Sequence, residues 1–325
     1  MEYAGYVYCY FRWKGVGRDL QYVYLALSRD GLHFKPLCGN EPVLRSHMGT
    51  GAVRDPHLLR SRIDGKFYII ATDLDVTSNR WRKFKLEGSR QMAVWRSDDL
   101  IHWSDQRMTQ VADETLGCLW APKVCYDEIN NDYVVAYSSS LLPRTSMGVY
   151  YSRTKDFEHF TKPVALVPKR PNTDHRRFAW YWPMPKELSF IDSTTVQVDD
   201  VFYRFTKYDD LRQVMLEKSH SIVDGYQLVT EAVAGERGVE GPCLYPLFDR
   251  KQYVLLLDGY SGPNHGTGYF PLIADKSALA EGKFRRLSPD EYSLPEGCKH
   301  GSVMLITDEE YRRLEEQLGY DRKTL

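Results

Sequence analysis

Five residues with reactive or ring-binding side chains each stand at the head of a short apolar run. They are Asp55 in RDPHLLR, Trp120 in WAPKVCYD, Asp192 in IDSTTVQVD, Glu240 in EGPCLYPLFD and His300 in HGSVMLITD. If the fold gathers them, three carboxyls, an imidazole and an indole share one site. Like charges held close cannot all ionise, so one carboxyl pKa should rise. A raised carboxyl can act as an acid near neutrality while another stays ionised as a base. Two carboxyls flanking a bond are the equipment of glycoside hydrolysis, and an indole offers a sugar ring an apolar platform.

Convergence requires an architecture that brings distant segments to one axis. Four of the runs are followed by a turn and a tyrosine-bearing strand: DGKFYIIATD, NNDYVVAYSS, DDVFYRFTKY and DRKQYVLLLD. A second series repeats in step, as SRDGLHF (28–34), SDDLIHW (97–103) and TKDFEHF (154–160), with weaker relatives near 219–228 and 274–284. The repeat spacing of roughly 60 residues suits a four-stranded propeller blade. The fifth run leads into DEEYRRLEEQL, and its missing partners stand at the other end of the chain, in GYVYCYFRW and YVYLALS. The expected fold is therefore all-β: one five-bladed β-propeller spanning 1–325, with four-stranded blades. The N-terminal strands close the last blade, and a short helix follows at about 308–318. Closure removes free sheet edges. Each of the five runs becomes an inner strand, and Pro56 is tolerated because a first strand residue can forgo its ladder donor. His33, His102 and His159 occupy one place in the repeated turn, which argues for a structural role.

Composition excludes several classes of function. The chain has 325 residues and a net charge of −1, so a polyanionic partner such as nucleic acid is not expected. No stretch approaches the roughly 20 apolar residues of a membrane span. The six scattered cysteines lack CxxC pairing and read as free thiols in a reducing compartment. With no leader-like N-terminus, the expected location is cytoplasmic. The oligomeric state is left open.

On these motifs the chain resembles glycoside hydrolase family 43, the five-bladed arabinofuranosidases, xylosidases and arabinanases, from VRDP at 53–56 to HGSV at 300–303. The resemblance implies that Asp55 is the general base, that Asp192 orients the acid and tunes its pKa, and that Glu240 is the general acid. It matches Trp120, in WAP, to an aromatic wall. It matches His300 to a channel histidine that in many members contacts calcium through water. A structural calcium ion at the axis is thus expected, with no organic cofactor. Arg54 and Trp180 join Trp120 as expected substrate-binding residues, Trp180 with Tyr181 and Trp182 in a long loop at 169–189. That loop and a basic insertion at 77–90 favour a pocket and exo action. Asp209 and Asp210 are harder to place; loops after second strands can line the mouth. The implied activity is inverting release of L-arabinofuranose, and secondarily D-xylose, from small plant cell-wall oligosaccharides. Alternatives are a β-galactofuranosidase or other specificity of the family, and a non-catalytic sugar-binding propeller. Invertase-like fructosidases fit less well, because no nucleophile motif precedes Asp55. Mannoside phosphorylases need a phosphate site that no basic cluster announces.

Overall fold

Segments such as GYVYCYFR, FYIIATD and QYVLLLDG mix β-branched and aromatic residues, which suit a pleated, buried surface. Each forms a strand, Gly5–Arg12, Phe67–Asp73 and Gln252–Gly259. Phe67–Asp73 is buried along its whole length, as a strand must be when it is covered on both faces. The structure is a computed structural model and describes residues 2–13, 20–167, 170–171, 187–249 and 251–321.

Five four-stranded antiparallel sheets form the blades of a propeller. The inner strands of blades one to five are Val53–Arg60, Trp120–Asp127, Phe190–Val198, Val239–Pro246 and Cys298–Ile306. Each inner strand contacts the next, and the fifth contacts the first, so the ring is closed. Blade five is completed by Gly5–Arg12, which pairs with Cys298–Ile306 from Gly5 opposite Ile306 to Arg12 opposite Cys298. The expected closure by N-terminal strands is thus how the ring forms. The core is divided into wedges between blades. One wedge joins Val7 and Leu25 of blade five to Ile69 and Trp95 of blade one; another joins Phe205 of blade three to Leu255 and Phe270 of blade four. Burying each such side chain contributes roughly 1.5–3 kcal/mol, so blade-to-blade packing is the main stabilising term.

The Ser/Thr-x-Asp-x-x-His turns are identical devices. Oδ1 of Asp30, Asp99 and Asp156 accepts backbone N–H bonds from the residues two and three positions on, while Oδ2 faces the histidine Nδ1 at 2.7–2.8 Å. These histidines are solvent-facing and lie in structural turns. The weaker relative at 274–284 differs. There Asp275 caps a short helix, Lys276–Ala280, by accepting from Ala278 N–H. A second helix, Asp308–Leu318, begins with a capping box formed by Thr307 and Glu310. Both carboxylate oxygens of Glu310 also accept from Arg60 at 2.7 Å, tying the helix to the inner strand of blade one. All six cysteines are free.

Candidate active site

The expected site residues sit at one recurrent irregularity. In blades one to four the ladder between first and second strands breaks at Arg54/His57, Trp120/Lys123, Ile191/Ser193 and Glu240/Cys243. Inside each break one residue takes a left-handed backbone: Asp55 (φ 50°), Ala121 (φ 48°), Asp192 (φ 52°) and Gly241 (φ 57°). A β-bulge of this kind bends the strand and re-aims its side chains. The motifs RDP, WAP, IDS and EGP are therefore one structural unit. Asp55 and Asp192 hold the left-handed position, whereas Arg54, Trp120 and Glu240 hold the position before it. The carboxyls thus approach the axis from two different rungs. Hydroxyls of the second strands fix the next blade's bulge. Thr72 Oγ1 accepts from Ala121 N–H (2.8 Å) while donating to Asp55 Oδ2 (2.9 Å), and Ser138 Oγ accepts from Asp192 N–H (3.0 Å).

His300 joins the acids. Its Nδ1 lies 3.1 Å from Asp55 Oδ1, and its Nε2 lies 3.1 Å from Asp258 Oδ2 and 3.4 Å from Glu240 Oε1. Asp192 Oδ2 accepts the Gly241 N–H at 3.3 Å. A Cβ at Gly241 would stand 2.4 Å from His300 Cδ2, so the close approach of backbone to ring requires glycine there. Asp258 is fully buried, and each of its oxygens also accepts from Lys299 Nζ at 2.7 Å. At the far side of Glu240, Lys207 Nζ donates to Oε2 at 2.6 Å and also pairs with Asp209 at 2.9 Å.

These contacts divide the charge states. Burial pushes the Asp55 carboxyl up, but the bond from His300 and the charges of Arg54 and Lys123 hold it below its ordinary value. Burial also opposes ionisation of Glu240, and Lys207 together with His300 overcomes it, so its pKa is lowered. Asp192 goes the other way. Burial raises it to about 6, against the pull of His300 and Lys207 and with repulsion from Glu240 and Asp55. For His300, burial disfavours the imidazolium, yet Asp258, Asp55 and Glu240 keep its pKa well above the ordinary imidazole value. One of the site carboxyls does rise, chiefly through burial and not through crowding, and it is Asp192; Glu240 is ion-paired at rest.

The remaining expected residues divide. Arg54 lies over Phe11 (4.4 Å to the ring centre), with Nη1 buried and without a hydrogen-bond partner among the described residues. Trp120 is buried, and Trp81 of the 77–90 insertion packs edge-on against it at 6.1 Å. The insertion forms a helix, Trp81–Leu86, whose Lys85 reaches to 4.0 Å from Asp209. Trp180, Tyr181 and Trp182 lie outside the described residues. Sequence reasoning missed Lys207 and Asp258. Both stand on a shared rung, opposite Ile191 and Glu240, as Thr72 and Ser138 stand opposite Arg54 and Trp120. A polar residue near the end of each tyrosine-bearing strand was the available signal. Lys123, two residues after Ala121, was also passed over.

Comparison with known proteins gives the family and the fold. The model of family-43-related glycosyl hydrolases, described as "Probable glycosyl hydrolase domain", matches residues 1–312. A curated α-L-arabinofuranosidase of Bifidobacterium longum subsp. longum is 30% identical over 224 residues, covering 63% of this chain and 19% of the relative; the chain thus spans 19% of that protein's length. The crystal structure of a thermostable family-43 glycoside hydrolase superposes with a TM-score of 0.61 at 11% identity, covering 90% of this chain and 92% of that one. The α-L-arabinanase of Cellvibrio cellulosa, solved with arabinohexaose, gives 0.58 at 12% identity over 93% and 96%. At these identities the structural likeness speaks for the fold.

Proposed function

This chain belongs to the family-43-related glycosyl hydrolases, and from that premise we propose an exo-acting, inverting hydrolase that releases L-arabinofuranose, and secondarily D-xylose, from small plant cell-wall oligosaccharides. The observation that carries the reading is the placement of His300 between Asp55 and Glu240, at 3.1 and 3.4 Å. Two carboxyls that bracket an imidazole cannot touch. This favours the wider spacing of about 6.5–9.5 Å that admits a water between acid and base over the about 5–5.5 Å of retaining enzymes.

In this mechanism Asp55, kept ionised, takes a proton from water. The water oxygen attacks the anomeric carbon from the face opposite the leaving group. The glycosidic C–O bond breaks, its electron pair goes to the leaving oxygen, and that oxygen takes a proton from Glu240. Glu240 must first be protonated. Lys207 has a second partner in Asp209, on which its ammonium can rest when the glycosidic oxygen draws Glu240 away. In mildly acidic solution Asp192 holds the proton of the cluster, and release of Lys207 makes Glu240 the more basic site. Arg54 Nη1, buried and unpartnered among the described residues, is suited to a sugar hydroxyl. Trp81 and Trp120 form an apolar wall. The approach of Lys85, on the helix Trp81–Leu86, to Asp209 ties the insertion to the side of the site that holds Glu240, which supports a pocket and exo action. The curated arabinofuranosidase relative supports the choice of sugar.

A panel of nitrophenyl glycosides tests the reading. Turnover should be highest on the α-L-arabinofuranoside, with a smaller rate on the β-D-xyloside, and proton NMR should show the first-formed sugar with inverted configuration. A retained anomer overturns the mechanism. Preference for a galactofuranoside overturns the sugar assignment, and binding without release of any sugar overturns the enzymatic reading.

A further inference from the structure

The calcium ion that the resemblance places beside His300 does not fit the groups there. Both ring nitrogens of His300 face carboxylates, at 3.1 Å from Asp55 and 3.1 Å from Asp258, and Glu240 already holds Lys207. An imidazole so placed carries a proton on each nitrogen and has no lone pair left to accept from an ion-bound water. Open binding capacity lies elsewhere on the mouth. A cleft of about 640 Å³ runs between blades four and five, within the usual range of about 300–1,000 Å³ for ligand sites. It lies on the same rim as the catalytic cluster. Cys298 and Lys299 begin the strand of His300, Trp13 follows Arg12, which pairs with Cys298, and Gly259 pairs with both Gly268 and Val239, the residue before Glu240.

Four of the side chains that line the cleft touch groups of the site. The Arg54 guanidinium lies 5.6 Å from the ring centre of Trp13. Lys207 Nζ, which donates to Glu240 at 2.6 Å, lies 4.4 Å from the ring centre of Tyr260. The Tyr269 ring lies 6.2 Å from the His300 ring, and Lys299 is bound to Asp258, which faces His300. Cleft and site therefore share walls. The lining also selects the kind of occupant. Trp13, Tyr260, Tyr269 and Tyr292 supply aromatic rings, which cover apolar surface while their polar edges reach hydrogen-bond partners. Among the described residues, the side chains of His265 and Tyr292 make no hydrogen bond. The permanent charge among the described lining residues is Lys299, and both oxygens of Asp258 already hold it at 2.7 Å. A charged ligand would find no free counter-charge, whereas a neutral polyol with apolar ring faces finds rings and open donors. Both rims are held in place. Trp13 is 48% exposed, with its backbone N–H on the Gly297 carbonyl at 2.8 Å. Opposite, Asn264 is buried and donates to Glu236 Oε2 at 2.8 Å and to the Arg237 carbonyl at 2.7 Å.

We propose that this cleft is a sugar-binding subsite that holds an uncharged pentose chain on the leaving-group side of the cleaved bond, with Trp13 as its main ring platform. In the proposed mechanism the leaving oxygen takes its proton from Glu240. Tyr260 stands across Lys207 from that acid, so the chain beyond the oxygen starts at the cleft. The catalytic half of this inference rests on the glycosidase reading; the binding half does not.

The experiment therefore has two readouts, on the wild-type chain and on Trp13→Ala, Trp13→Tyr and Thr267→Trp. The first is kinetic: kcat/KM for arabinofuranosyl-substituted xylo-oligosaccharides of rising length, divided by kcat/KM for the nitrophenyl arabinofuranoside. In the wild type this ratio should rise with chain length. Trp13→Ala should lower it about 3- to 10-fold on the longest chain, the size of one aromatic contact, with the loss in KM. Trp13→Tyr, which keeps a ring, should restore most of it, and Thr267→Trp, which fills the rim, should lower it again. The second readout is calorimetric titration with xylohexaose and with arabinohexaose, which needs no turnover. The wild type should bind at least one of them, and Trp13→Ala should weaken that binding by a similar factor. A wild-type ratio independent of chain length, a Trp13→Ala ratio equal to wild type, or Trp13→Tyr no better than Trp13→Ala overturns the proposal. So does binding of neither hexaose, or tighter binding of a uronate-bearing chain than of a neutral one. If no glycoside is turned over at all, the proposed function fails while the titrations still decide the cleft. If Trp13→Ala does not fold, Thr267→Trp and the wild-type titrations decide it.

Discussion

At the scale of single residues, burial and a few close charges set the state of each site carboxyl. Lys207 at 2.6 Å holds Glu240 ionised. Because Glu240 is the proposed acid, the alkaline limb of kcat/KM reports its proton in the free enzyme. A lowered pKa places that limb on the acidic side. Lys207→Met removes the cation, raises the Glu240 pKa and moves the limb to higher pH in the pH–rate profile; an unmoved limb would separate Glu240 from the acid role. Asp192 has the opposite sign. Its folded pKa is raised to about 6, so its contribution to stability is present below the unfolded carboxyl value and is lost as pH rises through about 6. Asp192→Asn keeps the neutral shape, and asparagine tolerates the left-handed backbone at φ 52°. The variant is expected to gain on the order of 1–3 kcal/mol against denaturant at pH 7.5 and nothing at pH 4, while losing most of its activity. Equal unfolding midpoints at pH 7.5 would mean that the folded pKa of Asp192 is not raised above its unfolded value.

At the scale of elements, the bulge and the inserted helix do the positioning. The repeated bulges re-aim the strand heads so that Asp55, Asp192 and Glu240 meet at His300, and the helix Trp81–Leu86 brings an indole against Trp120. Trp81 is 43% exposed, so little of the core depends on it. Trp81→Ala should raise KM several-fold with a smaller change in kcat. It should cost about 0.5–1.5 kcal/mol of stability, the value of an aromatic pair. Steady-state kinetics and denaturant unfolding check both. A fall in kcat with KM unchanged would place the helix outside the sugar's contacts.

At the scale of the whole molecule, both ends of the described chain meet in blade five, where Gly5–Arg12 pairs with the strand that carries His300. The ring is then latched by Glu310, which accepts two bonds from Arg60 of blade one. Both partners are largely buried, at 19% and 11% side-chain exposure, so this pair is worth more than a surface ion pair. Arg60→Met leaves Glu310 without its cation and should cost about 2–4 kcal/mol. Since the latch bears on the strand of Asp55, activity should fail at a lower denaturant concentration than in the wild type, with kcat in the absence of denaturant nearly intact. Unfolding at the wild-type midpoint would show that the ring closes without the latch.

Legible in the chain alone were the blade repeat, the closing role of the N-terminal strands, the structural turns of His33, His102 and His159, and the gathering of Asp55, Asp192, Glu240 and His300. All of these follow from local pattern: alternation, turn chemistry and a motif recurring at the head of each inner strand. Tertiary structure alone decided what stands next to each of them. Lys207 and Asp258 lie on second strands, and they reach Glu240 and His300 only because neighbouring blades pack side by side. Lys123 reads in sequence as one more residue of WAPK, and its Nζ meets the Gly301 carbonyl only because the ring brings blades two and five together. Strand periodicity fixes which face a side chain takes, but burial and opposing charge depend on residues tens or hundreds of positions away. For that reason the site's members were legible in the chain and their protonation states were not.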